Sequence, residues 1–233
     1  MSTTRTLLID ADDTLWENNI YFERVAGEFF HRLSAGGIPE PRAQEVLWQT
    51  EQRNIQITGY GSRAFCASLH ETAQALGVTD LEPWIQQQEQ TIFHHPIELM
   101  PGVAETLPAL HEHNRLILVT KGFPDEQLGK LQRSGLAGYF SATEVVFEKS
   151  IATYRQLIAK YELVPAQTWM VGNSPRSDIN PAKAAGFGTV FIPYHSTWQH
   201  EVEEITPDGE TLLLENFAQL ANHFTTQSIG KVK

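Results

Sequence analysis

A doubly wound parallel α/β sheet carrying an inserted helical domain is the architecture that this 233-residue sequence predicts. Three observations predict it. Short apolar runs recur along the chain, and helically patterned segments separate most of them. Between the first run and the second, from Trp16 to Ile97, the patterning is helical throughout, with no convincing strand. Most of the runs are followed at once by polar or glycine residues, as at the carboxyl ends of strands that open into a ligand crevice.

The first run, Thr6-Leu7-Leu8-Ile9, reads as a buried strand. After it, Phe22, Val25, Phe29, Phe30 and Leu33 share a helical face that Gly36-Gly37 terminates. Pro41 suits the first turn of a second helix. That helix runs to about Thr58 with Val46, Leu47, Ile55 and Ile57 as its apolar positions. Gly59-Tyr60-Gly61 breaks it. A third helix, from about Ser62 to Gly77, carries Phe65, Leu69, Ala73 and Leu76, and a fourth runs from about Leu81 to His94-His95-Pro96. Alternation then resumes. Pro101-Gly102 opens a helix through Leu110, and Leu116–Thr120 is the second strand. Phe123-Pro124 leads a helix to Ser134-Gly135, and Glu144–Phe147 is the third strand. A helix ending at Tyr161 precedes the fourth, Thr168–Val171. Asn180-Pro181 reads as an N-cap and first-turn pair for a helix ending at Gly186. Thr189–Ile192 is the fifth strand, Thr211–Leu214 an edge strand, and Phe217–Leu220 a last helix, with a frayed tail expected after Thr225. The expected domains are an α/β core from residues 1–14 and 100–233, and a helical domain from residues 15–99.

Composition narrows the function. With 41% hydrophobic and 19% charged residues, the chain has the make-up of an ordinary globular protein. Its 28 acidic against 17 basic residues, a net charge of −11, disfavour nucleic acid and anionic membrane surfaces as partners. Cys66 is the only cysteine, which precludes an internal disulfide and suits a small core residue. No stretch reaches the ~20 apolar residues of a membrane span, and the N-terminus shows no leader pattern. The expectation is a soluble, cytoplasmic protein. Its oligomeric state is not readable from the sequence.

Asp10-Ala11-Asp12-Asp13-Thr14 is the stretch with the most chemistry. Carboxylates at a buried strand end are costly without a partner, and a hard cation such as Mg²⁺ is the simplest one. Residues i and i+2 of an extended segment face the same way, so Asp10 and Asp12 can address one reacting centre, one as nucleophile and one as acid/base. The plainer reading is an acidic turn that caps the next helix. Three further strand ends bear on the choice: Thr120 with Gly122 behind it, Lys149, and Gly172-Asn173-Ser174 followed by Asp178. In a parallel sheet these ends converge.

In combination and order, these four motifs resemble the haloacid dehalogenase-like hydrolase superfamily, over Asp10 to about Ile192. The inserted helices resemble that family's cap domain of the first type. The resemblance implies Asp10 as the nucleophile that forms an aspartyl-phosphate, and Asp12 as the acid that protonates the leaving group and then activates water. It implies that the Thr120 hydroxyl and the N–H groups of Lys121 and Gly122 hold phosphoryl oxygens, and that Lys149 offsets the gathered negative charge. It also implies Mg²⁺ held by Asp10, the main-chain carbonyl of Asp12, Asn173 and Asp178. Asn173 stands where the family often has Asp, which removes one charge from the metal site. The activity so implied is Mg²⁺-dependent hydrolysis of a small phosphorylated metabolite.

Other residues admit plainer readings. Asp13 serves the turn. Arg63, beside Gly59-Tyr60-Gly61, either lies in a plain connector or reads an anionic part of the substrate. His111 and His113, two apart on a helix, do not face each other, and with His94 and His95 they are read as incidental. Competing functions are a 2-haloacid dehalogenase, against which Asp12 argues, a phosphomutase, and a non-catalytic binding protein on the same fold.

Overall fold

The structure is a computed structural model that describes residues 5–206 and 211–225. Among these residues β1 (Arg5–Ile9), β2 (Asn114–Lys121), β3 (Ala142–Val146), β4 (Thr168–Gly172), β5 (Gly188–Phe191) and β6 (Thr211–Leu213) form a six-stranded parallel sheet in the order β3-β2-β1-β4-β5-β6. β1 lies between β2 and β4, so Leu7 faces Leu116 on one side and Trp169 on the other. The strand order reverses between β1 and β4. That is the switch point at whose carboxyl side open α/β sheets bind ligands.

Period-2 alternation divides the strand side chains between two cores. Leu7, Ile9, Leu116, Leu118 and Val171 enter one, which also contains Leu107, Phe217 and Phe224. Leu8, Ile117, Val119 and Met170 enter the other, with Tyr154, Leu157 and Phe187. Both sheet faces are thus covered, which is why these strands read as unbroken apolar runs.

The helices are α1 (Asn19–Ala35), α2 (Glu40–Thr58), α3 (Ser62–Ala75), α4 (Glu82–Phe93), α5 (Val103–His113), α6 (Pro124–Arg133), α7 (Ile151–Tyr161), α8 (Asn180–Ala184) and α9 (Ala221–Phe224). The chain divides into two compact units. One holds the sheet with Ile97–Thr120 and the chain from Leu128 onward; the other holds Asn18–Pro96 together with Lys121–Gln127. The segment 121–127 therefore groups with the helices, although by sequence it falls in the α/β stretch.

The helical unit has a core of its own, in which Val25, Phe29, Leu33, Leu47, Leu69, Ile85 and Ile92 are buried with Cys66. Ile57, expected on the apolar face of α2, is 72% exposed because it lies past the buried stripe that ends at Ile55. Gly61 precedes α3 at the N-cap position with a φ of 109° and a ψ of −179° that suit glycine alone, and the helix has no side-chain cap of its own. The buried Glu126 carboxylate caps it instead, accepting the Ser62 N–H at 3.1 Å and the Ser62 hydroxyl at 2.8 Å.

Asn180 does not cap α8. A π-helical turn, Pro175–Ile179, runs straight into that helix, so Asn180 already has helical dihedrals and its side chain bonds outward to Glu204 and Thr206. The cap is Ser174, whose hydroxyl accepts the Ser177 N–H at 2.9 Å. Phe217–Leu220 forms a 3₁₀ turn leading into α9. The tail expected after Thr225 lies outside the described residues. Among those described, no helix is long and apolar enough to cross a membrane.

Candidate active site

Asp10 immediately follows β1, and its N–H donates to Val171 O of β4 at 2.9 Å, so the switch point itself fixes its backbone. The next residues turn sharply. Asp13 has a positive φ of 61° and donates its N–H to Trp16 O at 2.7 Å, which gives it the turn role expected from sequence.

The buried Lys149 ammonium joins two carboxylates. It donates to Asp10 Oδ1 and, at 2.7 Å, to Asp178 Oδ1. Lys149 is 3% exposed, Asp10 7% and Asp178 1%. Two carboxylates share one ammonium, so the cluster carries surplus negative charge in a place that water barely reaches. The electrostatics follow. Burial pushes the Asp10 carboxyl up to about 7 against the pull of Lys149, and Asp178 adds to the rise. Burial acts to lower the Lys149 value, but Asp10 and Asp178 outweigh it and hold the ammonium above its ordinary range. Burial likewise raises the Tyr154 phenol, with Asp178 and Asp10 adding to it, and the hydroxyl donates to Ser177 O at 2.9 Å.

Asp178 is positioned from two sides. Its other oxygen, Oδ2, accepts the Ser174 N–H at 3.0 Å. A Cβ on Gly172 would stand 2.2 Å from that oxygen, so only glycine at the end of β4 admits the carboxylate. The hydroxyls of Ser174 and Ser177 both donate to Glu201, which grips the same turn.

Thr14, at the end of the Asp10 turn, reaches Asp10 Oδ2 at 3.0 Å and Asn173 Oδ1 at 3.3 Å with one hydroxyl. A single hydroxyl proton meets two oxygens there. Oxygen donors that converge with too few protons between them, beside surplus negative charge, fit a hard cation. Among the described residues no three His, Cys, Asp or Glu side chains are grouped as a metal cage. Mg²⁺ needs none, since it commonly takes one or two carboxylates and keeps several waters.

Asp12 has a different environment. Both of its oxygens accept from Lys130 Nζ at 2.8 Å, and Oδ1 also accepts the Trp16 indole N–H at 2.8 Å. Thr120, buried at 2% exposure, lies one residue before the end of β2.

Lys121, Gly122 and Arg63 belong to the helical unit. Lys121 Nζ lies over the Tyr60 ring at 3.8 Å. Gly122 has a φ of 126° with the Gln127 side chain against it. The Arg63 guanidinium pairs with Asp125, one bond being 3.2 Å, and stands over the rings of Phe93 and Phe123. Its charge is thus already matched within that unit. His95 stacks on Tyr21, and His111 lies edge-on to Tyr139.

Sequence reasoning missed Lys130, Thr14, Trp16 and Glu201. Lys130 left a faint signal: Glu126, Gln127 and Lys130 are buried on α6 while Leu128 is 48% exposed, so that helix turns polar residues inward. Thr14 closes the Asp10–Thr14 stretch, where its residue type alone signals no contact with Asn173.

The carboxylate bridged to lysine lies at the switch point of a doubly wound α/β sheet, and sequence comparison gives the family. A model of the haloacid dehalogenase-like hydrolases matches residues 4–186, and the chain belongs to that family. A solved haloacid dehalogenase-like family hydrolase from Xanthomonas campestris is 32% identical, with a TM-score of 0.76 over 88% of this chain and 87% of that one. The pyrimidine 5'-nucleotidase YjjG of Escherichia coli K12 is 28% identical over 127 residues, 52% of this chain and 56% of that protein. The phosphoserine phosphatase of Thermus thermophilus is 33% identical over 82 residues, a third of each chain. The matches thus span little more than half of one curated relative and a third of the other.

Proposed function

We propose that the protein is a phosphohydrolase that cleaves small phosphate monoesters through an aspartyl-phosphate on Asp10. The observation that carries this reading is the second carboxylate, Asp12, held in a defined direction two residues after the Lys149-bound Asp10. An ester's leaving alkoxide needs a proton, whereas a departing halide does not, so a haloacid dehalogenase has no task for Asp12. Both curated relatives act, by their names, on phosphate monoesters.

In this reading the Asp10 carboxylate attacks phosphorus and the bond from phosphorus to the ester oxygen breaks, while Asp12 gives that oxygen its proton. Water then attacks phosphorus, Asp12 takes a proton from it, and Asp10 leaves as a carboxylate. The Thr120 hydroxyl, with the N–H groups of Lys121 and Gly122 that follow it in the chain, holds phosphoryl oxygens. Lys149 offsets the charge of Asp10, Asp178 and the phosphoryl group.

Asp10, Asn173 and the main-chain carbonyl of Asp12 are the groups that would hold Mg²⁺. Asp178, engaged by Lys149 and Ser174, contributes charge and orients the turn. Bound there, Mg²⁺ would supply positive charge to the phosphoryl oxygens.

The test is phosphate release from an aryl phosphate, with Mg²⁺ and with excess chelator, beside halide release from 2-chloropropionate. Phosphate release that needs the metal, without halide release, is expected. Halide release without phosphate release would overturn the function, and undiminished turnover in chelator would overturn the role of Mg²⁺.

A further inference from the structure

We propose that Lys130 is a positioning residue for Asp12: with the Trp16 indole it fixes the direction of the carboxylate that gives and takes the proton. The inference rests on the phosphohydrolase reading and adds a part to it.

Lys130 lies in α6 with 1% of its surface exposed, among the largest fully buried side chains. Burial of an ammonium is costly before any partner is counted, and an apolar side chain of similar size would fill the space with less penalty. What Lys130 adds in return is local. Its Nζ meets both Asp12 oxygens at 2.8 Å, and Trp16, itself fully buried, adds a third bond at 2.8 Å. The Trp16 backbone is fixed as well, bridged to Asp12 and to Leu99. The Asp12 side chain is the more exposed partner of the ion pair, at 22% against 1% for Lys130. The group that must meet substrate is therefore the one within reach of solvent, and the groups that aim it are hidden.

Direction matters for this step. A general acid works only within hydrogen-bond reach of the atom that receives its proton, and a misplacement of about 1 Å can cost about 10²-fold. Lys149 has a separate partner set, Asp10 and Asp178. The two buried lysines thus hold different carboxylates, Lys130 the proton-transferring Asp12 and Lys149 the pair Asp10 and Asp178.

The test compares Lys130→Met with the parent enzyme on an alkyl phosphate, glycerol 2-phosphate, and on 2,4-dinitrophenyl phosphate, whose leaving group needs no proton. The quantity read is kcat/KM, which covers every step through departure of the leaving group. Lys130→Met is expected to lose about 10²-fold on the alkyl ester and far less on the dinitrophenyl ester. On the latter, kcat should fall with a burst of dinitrophenolate, because the water step uses the same carboxylate. In an Asp12→Asn background, Lys130→Met should cost little more, since its effect passes through Asp12. Equal losses on both esters, or an undiminished loss in the Asp12→Asn background, would make Lys130 a structural residue and overturn the proposal. A thermal melt checks folding. If Lys130→Met does not fold, Trp16→Phe, which removes the third bond and keeps the ring, is judged by the same two criteria. If the parent enzyme hydrolyses neither ester, the phosphohydrolase reading fails first, an outcome distinct from either pattern of selective loss.

Discussion

At Asp10 two demands oppose each other. Burial favours a neutral carboxyl, and the Lys149 ammonium favours a charged one; burial, with Asp178 adding to it, prevails and pushes the group up to about 7 from the ordinary 3.8. The consequence for stability has a definite sign. Between those values the folded chain holds a proton that the unfolded chain has released, so stability falls as pH rises through the window. The contribution is complete below about 3.8 and gone above about 7. Asp10→Asn cannot ionise. In chelator it should melt above the parent chain at pH 8, and the gap should close as the pH is lowered toward 4; a gap that ignores pH would contradict this origin. Residue by residue, the sequence exposed acids more readily than their partners. Asp10, Asp12 and Asp178 stand in a short motif or behind a glycine turn, and Lys149 directly follows a strand end. Lys130 stands mid-helix among other polar residues, and only its burial, which depends on how α6 is turned, distinguishes it.

Among the elements, α3 depends on a cap that comes from far along the chain. Gly61 offers it no side chain, and the Glu126 carboxylate takes the Ser62 N–H and hydroxyl in its place. Hydrogen bonds from buried groups to a charged partner contribute about 1.5–3 kcal/mol. Glu126→Ala should therefore lower the melting temperature by several degrees, and Gly61→Ala should do the same through backbone strain and the 2.9 Å approach of a Cβ to Glu126 Oε2. Melting curves that match the parent for both variants would show that the cap is dispensable. Strands and long helices were legible because their periodicity is written in consecutive residues. The π turn was not, because Asn180-Pro181 has the residue types of a helix start while Ser174 supplies the cap upstream. Nor did the sequence assign 121–127 to the helical unit, since that grouping comes from contacts distant in the chain, such as Ser62 with Glu126.

For the whole molecule, parallel order is what makes a site out of scattered residues. Asp10 follows β1, Lys149 follows β3, and Asn173 and Asp178 follow β4, and hydrogen bonds through Lys149 and Thr14 join these four at the strand ends. That convergence was legible from the alternation of strands and helices alone. The central claim is the covalent step on Asp10, and a trapped phosphoenzyme tests it most directly. Asp12→Asn, mixed briefly with 2,4-dinitrophenyl phosphate and Mg²⁺ and quenched in acid, should be slow in the water step but able to expel this leaving group. Mass spectrometry should then find one phosphoryl group on the peptide that contains Asp10, and none when Asp10→Asn is added. A phosphoryl group on a different residue, or phosphate release by the parent enzyme with Asp10 never modified in the trap, would contradict the account.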